Sequence, residues 1–192
     1  MSAKNCFCFL LVILFFTCQA VYAQDINDSS NNSAIHSLLK IKISWNCGPE
    51  WGKKIGKLST INFFGGWEIG PAADGFSFSN IRRKWIIEPD ASVEYRNYYN
   101  FCRRNTNGKK TYNNSANFIF GRIETLFPVK NQNFFNLLFI EGWGLQRGLC
   151  KKISVDYHVG IIEHVYYDLP PNGGFNYIFL EPFLNLSINY VF

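Results

Sequence analysis

Strict alternation of side-chain character is the feature that most restricts this chain. In the last segment, Ile178, Leu180, Pro182, Leu184, Leu186, Ile188, Tyr190 and Phe192 share one parity, while Glu181, Phe183, Asn185, Ser187, Asn189 and Val191 share the other. A period of two puts these sets on opposite faces of a pleated strand, which a helix does not do. The alternation recurs upstream, and there the polar face carries formal charge. Ile87, Pro89, Ala91, Val93 and Tyr95 oppose Glu88, Asp90, Ser92, Glu94 and Arg96, and Ile119, Gly121, Ile123, Thr125 and Phe127 oppose Arg122 and Glu124. Ile153, Val155, Tyr157, Val159 and Ile161 oppose Ser154, Asp156 and His158. Leu39, Ile41, Ile43 and Trp45 oppose Lys40 and Lys42, and Ile61, Phe63, Trp67 and Ile69 oppose Asn62 and Glu68. From Phe134 to Arg147 the separation is weaker, because Glu141 and Arg147 share the parity of Phe135, Leu137, Phe139 and Trp143.

The pattern predicts eight strands, over residues 36–46, 54–59, 60–70, 86–102, 117–127, 134–147, 152–166 and 175–192. An even number suits a closed antiparallel up-and-down barrel whose two ends lie on one side. Connections Gly70 to Arg83, Pro128 to Asn133 and Asp168 to Gly174 fall at one rim. Ser59-Thr60, Arg103 to Ser115 and Gly148 to Lys151 fall at the other. The basic segment from Arg103 to Ser115 is long for a rim that membrane barrels usually keep short.

Length and polarity separate a membrane barrel from a soluble sheet. The ten residues from Phe183 to Phe192, at about 3.3 Å each and a tilt near 45°, cover roughly 23 Å, close to the apolar band of an outer-membrane barrel. The 18% aromatic content with a mean hydropathy of −0.06 fits rings on one parity diluted by polar residues on the other. A helical membrane bundle is excluded, since no apolar run reaches the roughly 20 residues of a span. Charges of both signs on one parity suit a narrow lumen filled by side chains. The ion-pair candidates there are Glu88, Glu94, Arg96, Arg122, Glu124 and Glu181, with Lys40 and Lys42. Phe64, Phe118, Phe120 and Phe183 share the inward parity, predicting a lumen packed by rings as well as ions. Pro89 and Pro182 are expected near rims, since proline removes a ladder donor. Glu163, which breaks its strand's apolar parity, is expected at the outer rim.

The chain begins with a targeting layout. Lys4 precedes the apolar run Cys6 to Phe16, and small residues lead to a cut between Ala23 and Gln24. Phe16-Thr17 is a poor approach to a lipidated Cys18. The division is therefore a signal peptide over 1–23, a polar leader over 24–35 and a barrel over 36–192. Three cysteines remain after cleavage, Cys47, Cys102 and Cys150; a Cys102–Cys150 bridge is compatible with the strand ends, and three free thiols are the simpler reading. The basic residues are spread over turns such as Arg103-Arg104 and Lys109-Lys110, as solvated loops rather than a nucleic-acid site. No metal-ligand spacing or phosphate-binding glycine loop occurs, so no cofactor is expected.

The end of the chain, Leu184, Leu186, Ile188, Tyr190 and Phe192 at alternate positions, resembles the carboxy-terminal signal by which barrel-insertion machinery reads bacterial outer-membrane proteins. More widely, Ile86 to Glu124 and Leu137 to Ile161 resemble the small outer-membrane β-barrel proteins of Bacteroidota. The resemblance lies in a Glu-Pro step, a Tyr-rich strand, a basic turn with paired Asn, and a later Trp-Gly before an Arg strand end. It covers Ile86 to Phe192 well and Lys54 to Gly70 weakly, and Glu141-Gly142 departs from the proline step before Trp143. The resemblance implies an outer-membrane location, contact with lipid and the insertion machinery, and a monomer, with no catalytic motif to carry over.

The expected function is a non-enzymatic outer-membrane protein with a structural or surface-interaction role. One alternative is a lipid-modifying barrel enzyme using His158 with Ser154 and Asp156, but neighbours at i and i+2 on a strand are about 6.6 Å apart, too far for a nucleophile and base to hydrogen bond. The other is a soluble periplasmic barrel or sandwich that binds a ligand.

Overall fold

The computed structural model describes residues 35–71, 85–127, 134–168 and 174–192. Eight strands follow in chain order: β1 (Leu38–Ile43), β2 (Asn46–Lys54), β3 (Ser59–Pro71), β4 (Trp85–Asn97), β5 (Asn117–Leu126), β6 (Phe134–Cys150), β7 (Ile153–Asp168) and β8 (Gly174–Val191). Each pairs antiparallel with the next, and β8 returns to β1 with Lys40 opposite Val191 and Ile43 opposite Ile188, closing the barrel. The seam between β1 and β8 is short, covering Ile188 to Val191 of β8, and the rest of β8 runs on beyond the end of β1.

The polarity is inverted relative to a soluble barrel with an apolar centre. Leu184 is 64% exposed, Leu186 60% and Ile188 54%, whereas Lys40, Arg96, Asp156 and His158 are each exposed by 1% or less. β1 turns Leu39, Ile41 and Ile43 outward and Lys40 and Lys42 inward, and β4 turns Val93 outward and Glu94 inward, whereas β5 and β6 also bury Phe118, Phe120, Leu138 and Ile140 inside. A slip of one residue in any pair would exchange these faces, so the charges fix the register as firmly as the apolar residues do.

The first two strands differ from the expected ones. β1 ends at Ile43, a tight connection follows at Ser44-Trp45, and Asn46 to Lys54 form β2. Ser59-Thr60 is the start of β3 and not a turn; the connection is Ile55 to Leu58, closed by the amides of Ile55 and Gly56 donating to the Ser59 carbonyl. Gly48, Pro49 and Gly52 read as turn residues, yet here they lie within a strand whose Pro49 faces outward opposite Ile41. β4 also ends earlier, at Asn97, and the chain then turns into a short helix, α1 (Phe101–Thr106), and a 3₁₀ turn at Tyr112–Asn114.

Pro182 lies within β8 opposite Ile161, far from either end. It is tolerated because β1 is short: β8 pairs with β1 only from Ile188 to Val191, so Pro182 lies on a stretch whose β1 side needs no ladder donor. Glu163 is likewise not at a rim. It pairs with Phe139 inside β7, half-buried on the outer wall beside Glu141, Ile161 and Leu180 around a notch of about 40 Å³. Gly142 faces Gly160 across β6 and β7, and a Cβ on either would run into the backbone of the other strand. Residues 1–34, on which the expected signal peptide and most of the expected leader fall, lie outside the described residues.

Candidate functional site

The side chains with unusual environments converge in the lumen. Arg96 from β4 is the hub of its terminal half: its guanidinium bonds Glu94, lies 3.0 Å from Asp156 Oδ2 and 3.4 Å from Glu50 Oε1, and donates to Gln146 Oε1 at 3.0 Å. Lys40 Nζ bridges the same two acids, at 2.9 Å from Glu50 and 3.1 Å from Asp156. Strands β1, β2, β4, β6 and β7 are thus tied across the interior by one set of charge-assisted bonds. A second hub, Arg122 from β5, lies 2.5 Å from Glu94 Oε2 and 3.2 Å from Glu124 Oε2. Toward the far end, Asn46 Nδ2 donates to Asp90 at 2.5 Å and to Glu124 at 3.2 Å.

Rings fill what the ions leave. Phe118 and Phe120 are fully buried at 6.1 Å between centroids, and His158 stands edge-on to them at 5.3 and 4.8 Å. The Arg96 guanidinium carbon lies 4.8 Å from the Phe118 centroid, and that of Arg122 lies 5.8 and 5.7 Å from Phe120 and Phe183. Each cation is therefore held between carboxylates on one side and a π face on the other. Phe118 fits because Gly144 faces it; a Cβ there would run into the ring. Between Lys42, Asn62, Phe64 and Ser92 remains a cavity of about 10 Å³, room for a single water.

The end at which β1 begins and β8 finishes, the terminal end, is closed by a lid running from Tyr98 to Ala116. Tyr98, Phe101 and Ala116 join Ile35 in the buried cluster that continues down to Phe118 and Ile140. Burial raises the affinity of the Tyr98 hydroxyl for its proton, with Arg96 and Lys40 opposing, and the hydroxyl donates to Gln146 Oε1 at 3.1 Å. Asn113 and Asn114 both adopt positive φ of 54°, a conformation that asparagine tolerates better than most residues. This turns their side chains back onto the barrel. Asn114 exchanges two bonds of 2.8 Å with the His36 backbone, and Asn113 Nδ2 donates to the carbonyls of Cys150 and Lys151 at 3.1 Å. Gln146 Nε2 donates to the Asn113 carbonyl at 2.6 Å, and the Gly148 amide to Ser115 Oγ at 2.6 Å.

Of the expected lumen ion-pair residues, the fold brings Glu94, Arg96, Arg122 and Glu124 into this network. Glu88 lies toward the far end, opposite Glu68. Glu181 stands apart, with its side chain 45% exposed and 2.8 Å from His164 Nε2. Glu50 and Gln146 complete the network beyond the expected set: Glu50 falls in the gap between the first two expected strands, where its signal is the parity of Asn46, Glu50 and Gly52 against Cys47, Pro49 and Trp51, and Gln146 lies in a strand whose separation of faces is weak. Ser154, Asp156 and His158 share the inner face of β7, but Asp156 turns to Lys40 and Arg96, and His158 is nearest Glu94 at 3.5 Å. They form no nucleophile and base pair. Cys47, Cys102 and Cys150 are free thiols. Leu184, Leu186, Ile188, Tyr190 and Phe192 all face outward, exposed by 40% or more. No model of a protein family, no curated protein and no solved structure matches the chain.

Proposed function

We propose that this chain is an integral outer-membrane protein of the small-barrel kind found in Bacteroidota, exported by a cleaved signal and monomeric, with a structural or surface-interaction role rather than an enzymatic one. The observation that carries the reading is the inversion of polarity: a largely apolar outer wall, interrupted by Glu141 and Glu163, around a lumen of paired charges and packed rings. An exterior with Leu, Ile, Phe and Trp exposed on successive strands far exceeds the patch a soluble monomer leaves to water, and a bilayer accepts it. Trp51 and Phe63 stack outside at 5.7 Å, and Trp143 donates to the Tyr99 hydroxyl at 2.7 Å near the terminal end, as rings at a membrane interface do. The outward face of β8 supports recognition of this strand by the insertion machinery.

Fractionation tests the reading. The protein should sediment with outer membranes and resist carbonate extraction. An unboiled sample should migrate faster on a denaturing gel than a boiled one, since the closed barrel stays compact. Recovery in the periplasmic soluble fraction would sink the proposal in favour of a soluble binding barrel, and an altered lipid A acylation pattern in a deletion strain would instead favour an enzyme.

A further inference from the structure

The terminal end of the barrel carries a basic ring that the lumen chemistry does not use. Lys53 and Lys54 end β2, Lys151 and Lys152 form the connection between β6 and β7, and all four are exposed. Arg103, Lys109 and Lys110 lie exposed on the outside of the lid between β4 and β5. Among the described residues, no aspartate or glutamate lies on the outer surface of this end; those nearest, Glu50 and Asp156, are buried inside. We propose that this ring is a docking collar for the headgroups of anionic phospholipids in the leaflet at the terminal end, an inference that rests on the membrane reading above.

Two observations select a lipid surface over another polyanion. First, the bases come from connections distributed around the circumference, between β2 and β3, β4 and β5, and β6 and β7. A leaflet surrounds a barrel on every side, whereas a nucleic acid or an acidic protein engages one face. Second, the ring continues directly into the apolar wall. Leu149, 62% exposed, and Ile153 flank Lys151 and Lys152; Ile55, 50% exposed, follows Lys54; and Lys152 Nζ lies 5.9 Å from the Tyr190 ring centroid. Where β7 meets β8, Ile188, Tyr190 and Lys152 follow one another toward the rim, the order of acyl chain, interface and phosphate in a bilayer. Each basic residue near an anionic surface adds to the attraction, and salt screens it.

The test uses the full mature chain, refolded from urea into vesicles of phosphatidylcholine alone or with one quarter phosphatidylglycerol, scored by flotation and by the unboiled gel shift. At low salt the anionic vesicles should raise the insertion rate on the order of tenfold, and high salt should remove the difference. A variant with Arg103→Gln, Lys110→Gln, Lys151→Gln and Lys152→Gln should insert into neutral vesicles as the parent does and lose the preference. Equal insertion of the parent into both vesicle types overturns the collar while leaving the barrel standing. Failure to insert into either overturns the membrane reading itself, and the collar with it.

Discussion

Arg96 concentrates the energetics of the lumen in one side chain. It is 1% exposed and shares Glu50, Glu94 and Asp156 with Lys40 and Arg122. A buried ion pair is a poor source of net stability, because desolvating both partners offsets their attraction. Removing one partner is different, since it leaves Glu50, Glu94 and Asp156 sharing Lys40 and Arg122 alone, one buried negative charge in excess. Arg96→Met should therefore cost about 3–5 kcal/mol, read as a lowered urea midpoint for the detergent-folded protein. Adding Glu94→Gln should return part of that loss, because it removes one uncompensated charge. Lys42, whose ammonium lies 5.0 Å from the Phe64 centroid, offers a contrast: Lys42→Met removes a cation–ring contact of about 1–2 kcal/mol, so its cost should be smaller. Equal losses for the two methionine variants would argue against a hub at Arg96.

At the scale of elements, the lid is held by contacts that depend on two asparagines and a glycine. Asn114 accepts from the His36 amide through Oδ1 and donates to the His36 carbonyl through Nδ2, and Gly148 lies under the Tyr112 ring, where a Cβ would collide with it. Asn114→Ala removes two bonds and imposes an alanine at positive φ, for a loss of about 1–3 kcal/mol. Gly148→Val should unseat the same segment from the opposite side. Both variants should raise amide exchange in the Tyr98 to Ala116 segment and expose Arg103 and Lys109 to trypsin, while the exchange of β6 to β8 stays slow; unchanged tryptic resistance would show that other contacts hold the lid. The strands were legible where apolar and charged residues alternate, as in β4, β5, β7 and β8, because burial on one face overrides local preference. They were not legible in β2, where Gly48, Pro49 and Gly52 give turn signals that only pairing with β1 and β3 overrides. The lid was legible as a long basic turn with paired asparagines, but its inward fold depends on Gln146, Cys150 and Lys151, which are distant in sequence. The partners of each charge were hidden for the same reason: parity tells which side a residue faces, whereas the stagger of the strands decides which charge meets which.

For the whole molecule, the question is whether a barrel with a lid is a gated channel. An eight-stranded barrel encloses an interior that side chains fill, and here ions and rings fill it below the lid. The Arg96, Lys40, Glu50 and Asp156 cluster joins Arg122 and Glu124 through Glu94, and Phe118, His158 and Phe120 pack against these ions. Ions would have to displace paired charges and packed rings. The full chain should therefore give no large stable steps in a planar bilayer, and replacing residues 99–115 with a short turn should leave the conductance near baseline, because the lid closes one end but is not the main barrier. Opening a path should require thinning the ring layer as well. Phe118→Ala with Phe120→Ala removes two buried rings, each at a cost of about 3–5 kcal/mol, and only in combination with the shortened lid should small, cation- or anion-selective currents emerge. Large steps from the lid-shortened chain alone would mean that the lid is the gate and that the interior layers yield when it leaves.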